Sequence, residues 1–424
     1  MKQFSCEVAV IGGGLSGCAA ATSLARAGVD VALFEAGTLP RHRVCGEFLS
    51  PESRASLHRM GVLESVAERG ARDVETARFL CDGASADFEL GRASGVAISR
   101  FALDPILFQA TTAEGARGFL GARTRDLRAK SATCGGGFEF EGGGQTWRTR
   151  AVILAAGRSA SPKSPELKIA GSKPSSQPQK MKAQDNLESK TRGGARFCGL
   201  KAHFSGVDLE VGTVEMHLFR GGYCGLVRVE GEATNACLMI DYARLGKMAP
   251  ALFWEKILAE NRALRARFAG ATRISQWCTT GNVSFDKFRP RGEVTEKMEP
   301  MVNSQSEPQK ASAGSGTERG ILCAGDAAGY IHPLTGDGMA MALRAGELAA
   351  TCARLQVCGL EAGEAAQLYE AAWEREFAPR LRLAAQLHPL ALRPEWARPI
   401  LPVLAHFPAL RHALVRGTRG ANRI

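Results

Sequence analysis

Gly12, Gly14 and Gly17 stand in the spacing Gly-x-Gly-x-x-Gly between an apolar run, Glu7–Ile11, and an alanine-rich segment, Cys18–Ala27. A strand that turns sharply into a helix aims backbone N–H groups and the positive helix end at an anion. Gly12 permits the tight turn, Gly14 lets a pyrophosphate approach the backbone, and Gly17 lets the helix pack on the strand. Gly28 stops that helix, and a second strand, Val29–Phe34, ends at Glu35. A carboxylate there accepts hydrogen bonds from a ribose diol and repels a 2′-phosphate. A tightly bound dinucleotide other than NADP is therefore expected.

A second turn decides which dinucleotide. Leu322-Cys323-Ala324-Gly325-Asp326 reads as a strand breaking into Gly-Asp, and His332-Pro333-Leu334-Thr335-Gly336-Asp337-Gly338-Met339 leads into another helix. A second helix N-terminus offers further backbone donors to anionic or carbonyl oxygens. An NAD dehydrogenase has no use for such an element so far downstream, whereas an extended flavin cofactor does. FAD is the expected ligand.

The two motifs together resemble the FAD-dependent aromatic hydroxylase superfamily, which includes p-hydroxybenzoate hydroxylase-like enzymes, geranylgeranyl reductases and flavin-dependent halogenases. The resemblance implies that Asp326 lies at the ribityl or pyrophosphate region and that Pro333, Gly336, Gly338 and Met339 lie along the isoalloxazine. Arg100-x-x-Leu103-Asp104-x-x-Leu107 is similar to the helix whose leading polar residue touches the cofactor; a surface salt bridge is the alternative for Arg100. Arg41-His42-Arg43-Val44-Cys45-Gly46-Glu47 resembles the Cys-Gly-Glu segment of the geranylgeranyl-reductase-like branch, which passes close to the flavin. Arg43 would neutralise cofactor phosphate, and Cys45 would be either a redox-tuned thiol or an inert small hydrophobe.

The chain departs from these relatives in four places. The hydroxylases' Asp-Gly motif appears as Ala156-Gly157-Arg158-Ser159, without the acid. The halogenase Trp-x-Trp-x-Ile-Pro signature is missing. The prenyl reductases' Tyr-x-Trp-x-Phe-Pro segment is reduced to Tyr223 within Gly222–Val229, which leaves Tyr223 as a candidate catalytic residue with an altered lining. No second Gly-x-Gly-x-x-Gly follows a strand.

Composition bounds the rest. The 424 residues are 45% hydrophobic and 23% charged, so the chain is globular and long enough for two or three domains. The net charge of +11 gathers in the tail, where residues 377–424 carry eight arginines against the single acid Glu395. That distribution argues against a broad nucleic-acid face. It leaves two readings of the tail: broken amphipathic helices covering a domain edge, or a peripheral contact with an anionic membrane. The eight histidines form no zinc-type pair, so no metal site is expected, and His203 and His217 read as core or edge histidines. The twelve cysteines show no C-x-x-C pair and read as reduced thiols. Met1–Glu7 do not form a signal peptide, so a cytoplasmic location is expected.

The expected fold is α/β: a Rossmann-type FAD-binding domain, a mixed β-sheet substrate domain and a helical C-terminal region. The FAD domain is assigned to 1–76, 98–160 and 320–376, the substrate domain to 77–97 and 195–290, flexible insertions to 161–194 and 291–319, and a basic helical tail to 377–424. The function implied is an FAD-dependent oxidoreductase with NAD(P)H as transient reductant. The leading form is a monooxygenase acting through a flavin C4a-hydroperoxide on a small apolar aromatic or polyketide-like substrate. The alternatives are a prenyl C=C reductase and a non-catalytic flavin-binding or electron-transfer protein.

Overall fold

The computed structural model describes residues 3–130, 136–157, 197–283, 291–292, 320–329 and 333–419. The expected insertions, 161–194 and 291–319, lie outside the described residues except for Arg291–Gly292.

The chain opens with β1 (Gln3–Ile11), α1 (Leu15–Arg26), β2 (Val31–Glu35), β3 (Phe48–Leu49), α2 (Ser53–Arg59) and α3 (Leu63–Glu68). Short strands follow: β4 (Arg72–Val74), β5 (Thr76–Cys81), β6 (Ala84–Glu89) and β7 (Gly95–Ala97). Next come α4 (Arg100–Ala113), β8 (Arg117–Leu120), β9 (Thr124–Ala129), β10 (Phe138–Gly142) and β11 (Gln145–Leu154). The second half begins with β12 (Phe197–Ser205), β13 (Thr213–Phe219), β14 (Gly222–Arg228) and β15 (Thr234–Asp241). It continues through α5 (Tyr242–Leu245), α6 (Pro250–Glu260), α7 (Arg262–Arg267), β16 (Thr272–Arg273), β17 (Cys278–Val283), β18 (Arg291–Gly292) and β19 (Ile321–Cys323). Four helices close it: α8 (Gly338–Val357), α9 (Ala362–Ala391), α10 (Pro394–His406) and α11 (Pro408–Thr418).

One sheet runs β18-β19-β11-β1-β2-β8, parallel from β19 to β8, with β10 and β9 attached through β11. Val8 and Val10 on one face and Ala9 on the other are fully buried, as a parallel strand covered on both sides requires. The second sheet, β16-β12-β15-β14-β13-β5-β6, is antiparallel except where β5 joins β13. A small sheet, β3-β7-β4, lies alongside. The helices α1 and α8 pack on the first sheet within one apolar cluster that also takes in Tyr369, Trp373 and Phe377 of α9.

β11 is one continuous strand, pairing with β10 in its first half and with β19 in its second. α4 begins at Arg100, where Ser99 caps it by accepting from the Ala102 N–H. One expected boundary changes. The tail boundary at Phe377 falls inside α9, and Phe377 is buried against Trp373 with ring centroids 5.3 Å apart.

Candidate active site

The three glycines of the first turn do different work. Gly12 holds φ +112°, and a Cβ there would sit 2.3 Å from the Ala155 carbonyl oxygen. A Cβ on Gly17 would sit 1.7 Å from the Gly12 oxygen, so both positions are steric necessities. Gly14 is the N-cap of α1 with an ordinary φ of −88° and no side-chain cap. The nearest atom to its hypothetical Cβ is Arg100 Nη2 at 3.9 Å, so it faces open space. Glu35, at the end of β2, is fixed by the Gly13 N–H on Oε2 (3.0 Å) and by the Gly37 N–H (2.8 Å) and Arg41 (2.6 Å) on Oε1.

Beside the turn, a buried carboxylate organises two cations. Asp104 accepts from Arg100 Nε at 2.6 Å and Nη2 at 3.0 Å, and from Arg43 Nε at 3.1 Å. Arg100 is thus salt-bridged as one reading supposed, but not on the surface. Arg43 Nη2 is buried, makes no hydrogen bond among the described residues, and lies 3.5 Å from Glu35 Oε2 as an ion pair.

The next residues of that loop are held from the other sheet. Asn235 of β15 donates to the carbonyls of Cys45 (3.0 Å) and Gly46 (2.9 Å). Glu47, fully buried with φ +56°, receives the Arg100 N–H at 2.8 Å and Lys201 on Oε1, while Oε2 lies 2.6 Å from His203 Nε2. Burial alone would raise the Glu47 carboxyl, but the His203 contact and the Lys201 charge override it and hold it below its ordinary value. The Cys45 thiol touches the Met339 sulfur at 3.3 Å, and burial pushes its pKa up, so it keeps its proton.

The second turn approaches from the opposite side. Gly325 has φ +63°, and Asp326 follows it in a short 3₁₀ turn. Gly336 has φ +71°, and a Cβ there would strike the Phe48 ring at 2.8 Å; nothing lies within 4 Å of a Cβ on Gly338. Asp337 between them is buried, is lifted to about 7 by that burial, and accepts from Arg419 beyond α11 at 2.7 Å.

Gly12, Gly14, Glu35, Arg43, Cys45, Arg100, Asp326, Pro333, Gly336, Gly338 and Met339 all line one cavity of about 1170 Å³. Gly17 lies behind the turn. Tyr223 is not among the lining residues; it packs behind them, its ring 6.2 Å from that of His388 of α9. The cavity exceeds the roughly 300–1,000 Å³ of a typical small-molecule site and has two distinct ends. One is made of glycine turns and arginines. The other is aliphatic, built from Val214, Met216 and Leu218 of β13 and from Leu387, Leu401, Leu404 and Leu414 of α9–α11.

Asp104, Lys201, His203 and Asn235 had no role assigned from sequence. The available signal was alternation: Lys201 and His203 sit two apart on one face of a strand otherwise rich in buried apolar residues.

Residues 5–190 match the FAD binding domain family. That match spans under half of the chain. Menaquinone reductase of Mycobacterium tuberculosis is 34% identical over 129 residues, 28% of this chain and 30% of that protein. The chain thus aligns with under a third of that relative's length. Among solved structures, the flavin-dependent brominase Bmp2 superposes with a TM-score of 0.73 at 16% identity, covering 98% of this chain and 93% of that one. A geranylgeranyl bacteriochlorophyll reductase-like protein from Thermoplasma acidophilum gives 0.72 at 17% identity, with 98% and 96% covered. These matches agree with the superfamily recognised in the sequence.

The FAD-binding domain fits its cofactor on three counts. Two uncapped helix N-termini, at α1 and α8, open on the cavity with the glycines that a Cβ would not block. The Arg43 Nη2, 3.5 Å from Glu35 Oε2, makes no hydrogen bond among the described residues and has donor capacity left for a phosphate oxygen. Glu35 is already oriented by backbone donors as a ribose-binding carboxylate must be. In the FAD-binding domain, Gly12–Gly14, Arg43 and Arg100 would hold the pyrophosphate, Glu35 the adenosine ribose, and Gly336–Met339 the ring.

Proposed function

We propose that the chain is an FAD-dependent oxidoreductase, in its leading form an NAD(P)H-dependent monooxygenase, acting on a substrate with an apolar aromatic head and a long aliphatic tail. The observation that carries this reading is the continuity of the glycine-and-arginine end of the cavity with a deep aliphatic chamber. Bound FAD supplies the electron transfer and oxygen activation. The chain's residues do the rest. Arg43 and Arg100, positioned by Asp104, balance the pyrophosphate charge. Phe48 lies against Gly336, and the leucines of α9–α11 give the tail an apolar wall that excludes water. The Cys45 sulfur keeps its proton. His42, at the rim, is shifted down by partial burial and by the neighbouring Lys201 and His203 charges, so its imidazole stays neutral and able to accept a proton.

The overall reaction is substrate, dioxygen, NAD(P)H and a proton giving hydroxylated substrate, water and NAD(P)⁺. The test is turnover of phenols bearing a long unsaturated side chain with NAD(P)H, in air and under argon, with product masses measured. A product one oxygen heavier, formed only in air, supports the reading. A product two hydrogens heavier, formed equally under argon, replaces it with a C=C reductase. That second reading is favoured by the placement of the Cys45–Gly46 loop against Met339 and by the similarity to a menaquinone reductase.

A further inference from the structure

The helices α10 and α11 have two apolar faces where a covering helix needs one. Ala397 and Leu401 of α10 are buried against the second sheet. Roughly 100° round the helix, Trp396, Ile400 and Val403 recur at i, i+4 and i+7 as a single stripe, and Phe407, in the joint between α10 and α11, follows them. All four are exposed, by 46%, 36%, 49% and 54%, and Leu410 of α11 extends the stripe at 45%. Ile400 and Leu410 also line the cavity, so the stripe is continuous with its wall.

The two helices are basic. The Arg393 guanidinium lies over the Trp396 ring at 4.4 Å, and Arg398 and Arg416 are exposed on the same two helices, where Glu395 is the single acid. An apolar stripe with an aromatic end and flanking arginines is the pattern of a helix lying in a membrane interface. Pairing with a second copy is disfavoured, because a two-fold contact would bring like charges together with almost no acid to offset them. Among the described residues no helix is long and apolar enough to cross a membrane, so the contact would lie on the surface.

We propose that the outer face of α10 and the start of α11 dock on an anionic lipid membrane, and that the cavity takes its lipophilic substrate from that phase. The docking stands on exposure and charge; only its use for substrate entry rests on the function proposed above.

The experiment is co-sedimentation of the full flavoprotein with phosphatidylcholine vesicles, with and without phosphatidylglycerol. The expected result is salt-sensitive binding about tenfold stronger to the anionic vesicles. Trp396→Ser/Phe407→Ser and Arg398→Gln/Arg416→Gln should each weaken it about tenfold, with flavin content unchanged. Brominated lipids should also quench wild-type tryptophan fluorescence, and Trp396→Phe should remove that quenching, a readout that does not depend on a disruptive variant. No binding to anionic vesicles overturns the proposal, as does binding unchanged in both double variants. A stable dimer dispersed by Phe407→Ser also overturns it, by giving the stripe to a second copy. Vesicle binding without any oxygenated product would leave the docking intact and remove only the proposed reaction.

Discussion

Glu47 Oε2 lies 2.6 Å from His203 Nε2, so a fully buried carboxylate joins the loop of Cys45 to a strand of the other sheet. Lys201, also buried, meets the other oxygen. Glu47 is thus a structural tie between the two sheets, and its partners come from segments 154 and 156 residues away.

Glu47→Gln leaves Lys201 buried without a counter-charge and should cost about 3–5 kcal/mol in urea unfolding. Glu47→Gln/Lys201→Met should recover much of that loss. Because the folded carboxyl sits below its ordinary 4.5, its stabilisation is present above that value and fades as pH falls through the folded pKa. A single variant as stable as wild type at neutral pH would remove the tie.

Asp337 titrates in the opposite sense. Burial raises its folded carboxyl from 3.8 to about 7, so the fold holds its proton more tightly than the unfolded chain does. This group therefore favours the fold at low pH, and its contribution falls as pH rises from about 4 to about 7. Asp337→Asn should abolish that slope, measured as unfolding free energy of the variant against wild type across this range.

Gly14 and Gly12 should separate binding from folding. Gly14→Val puts its side chain into open space at a permitted φ, so the protein should fold normally and emerge without flavin. Gly12→Val, forced against Ala155 at φ +112°, should reduce soluble yield itself. Far-UV circular dichroism with visible absorbance distinguishes the two; full flavin retention by Gly14→Val would contradict the cradle.

The aliphatic chamber predicts chain-length selectivity. Leu401→Trp adds bulk where α10 faces β13 and should lower kcat/KM for long-chain substrates about tenfold while sparing short ones. Equal losses for both would point to misfolding and not to a filled chamber.

The two glycine turns were legible because their chemistry is local: spacing, a strand before, a helix after. Glu35 was legible for the same reason. Glu47 stood in plain view beside Cys45, yet its role depends on β12 lying across it, which no local pattern encodes. Asp104 was visible only as a helix residue, since its partners Arg43 and Arg100 converge on it through the fold. Tyr223 drew notice by its place in a motif, but its ring packs against His388 of α9; Gly225, two residues further along the same face of β14, is the one that lines the cavity. In the tail the arginines were conspicuous and the leucines were not; the leucines prove to be a wall of the cavity, because α9 carries α10 and α11 back over the second sheet.

The Met339 sulfur that meets Cys45 belongs to a residue 294 positions further on, and β19 and α8, which bring it there, complete a sheet begun by β1. A cofactor held by both glycine turns would need the ribosome to deliver both ends of this arrangement before it could lodge. It would then act as a clasp between early-made and late-made polypeptide, and a translation product stopping short of α8 would have only half the clasp.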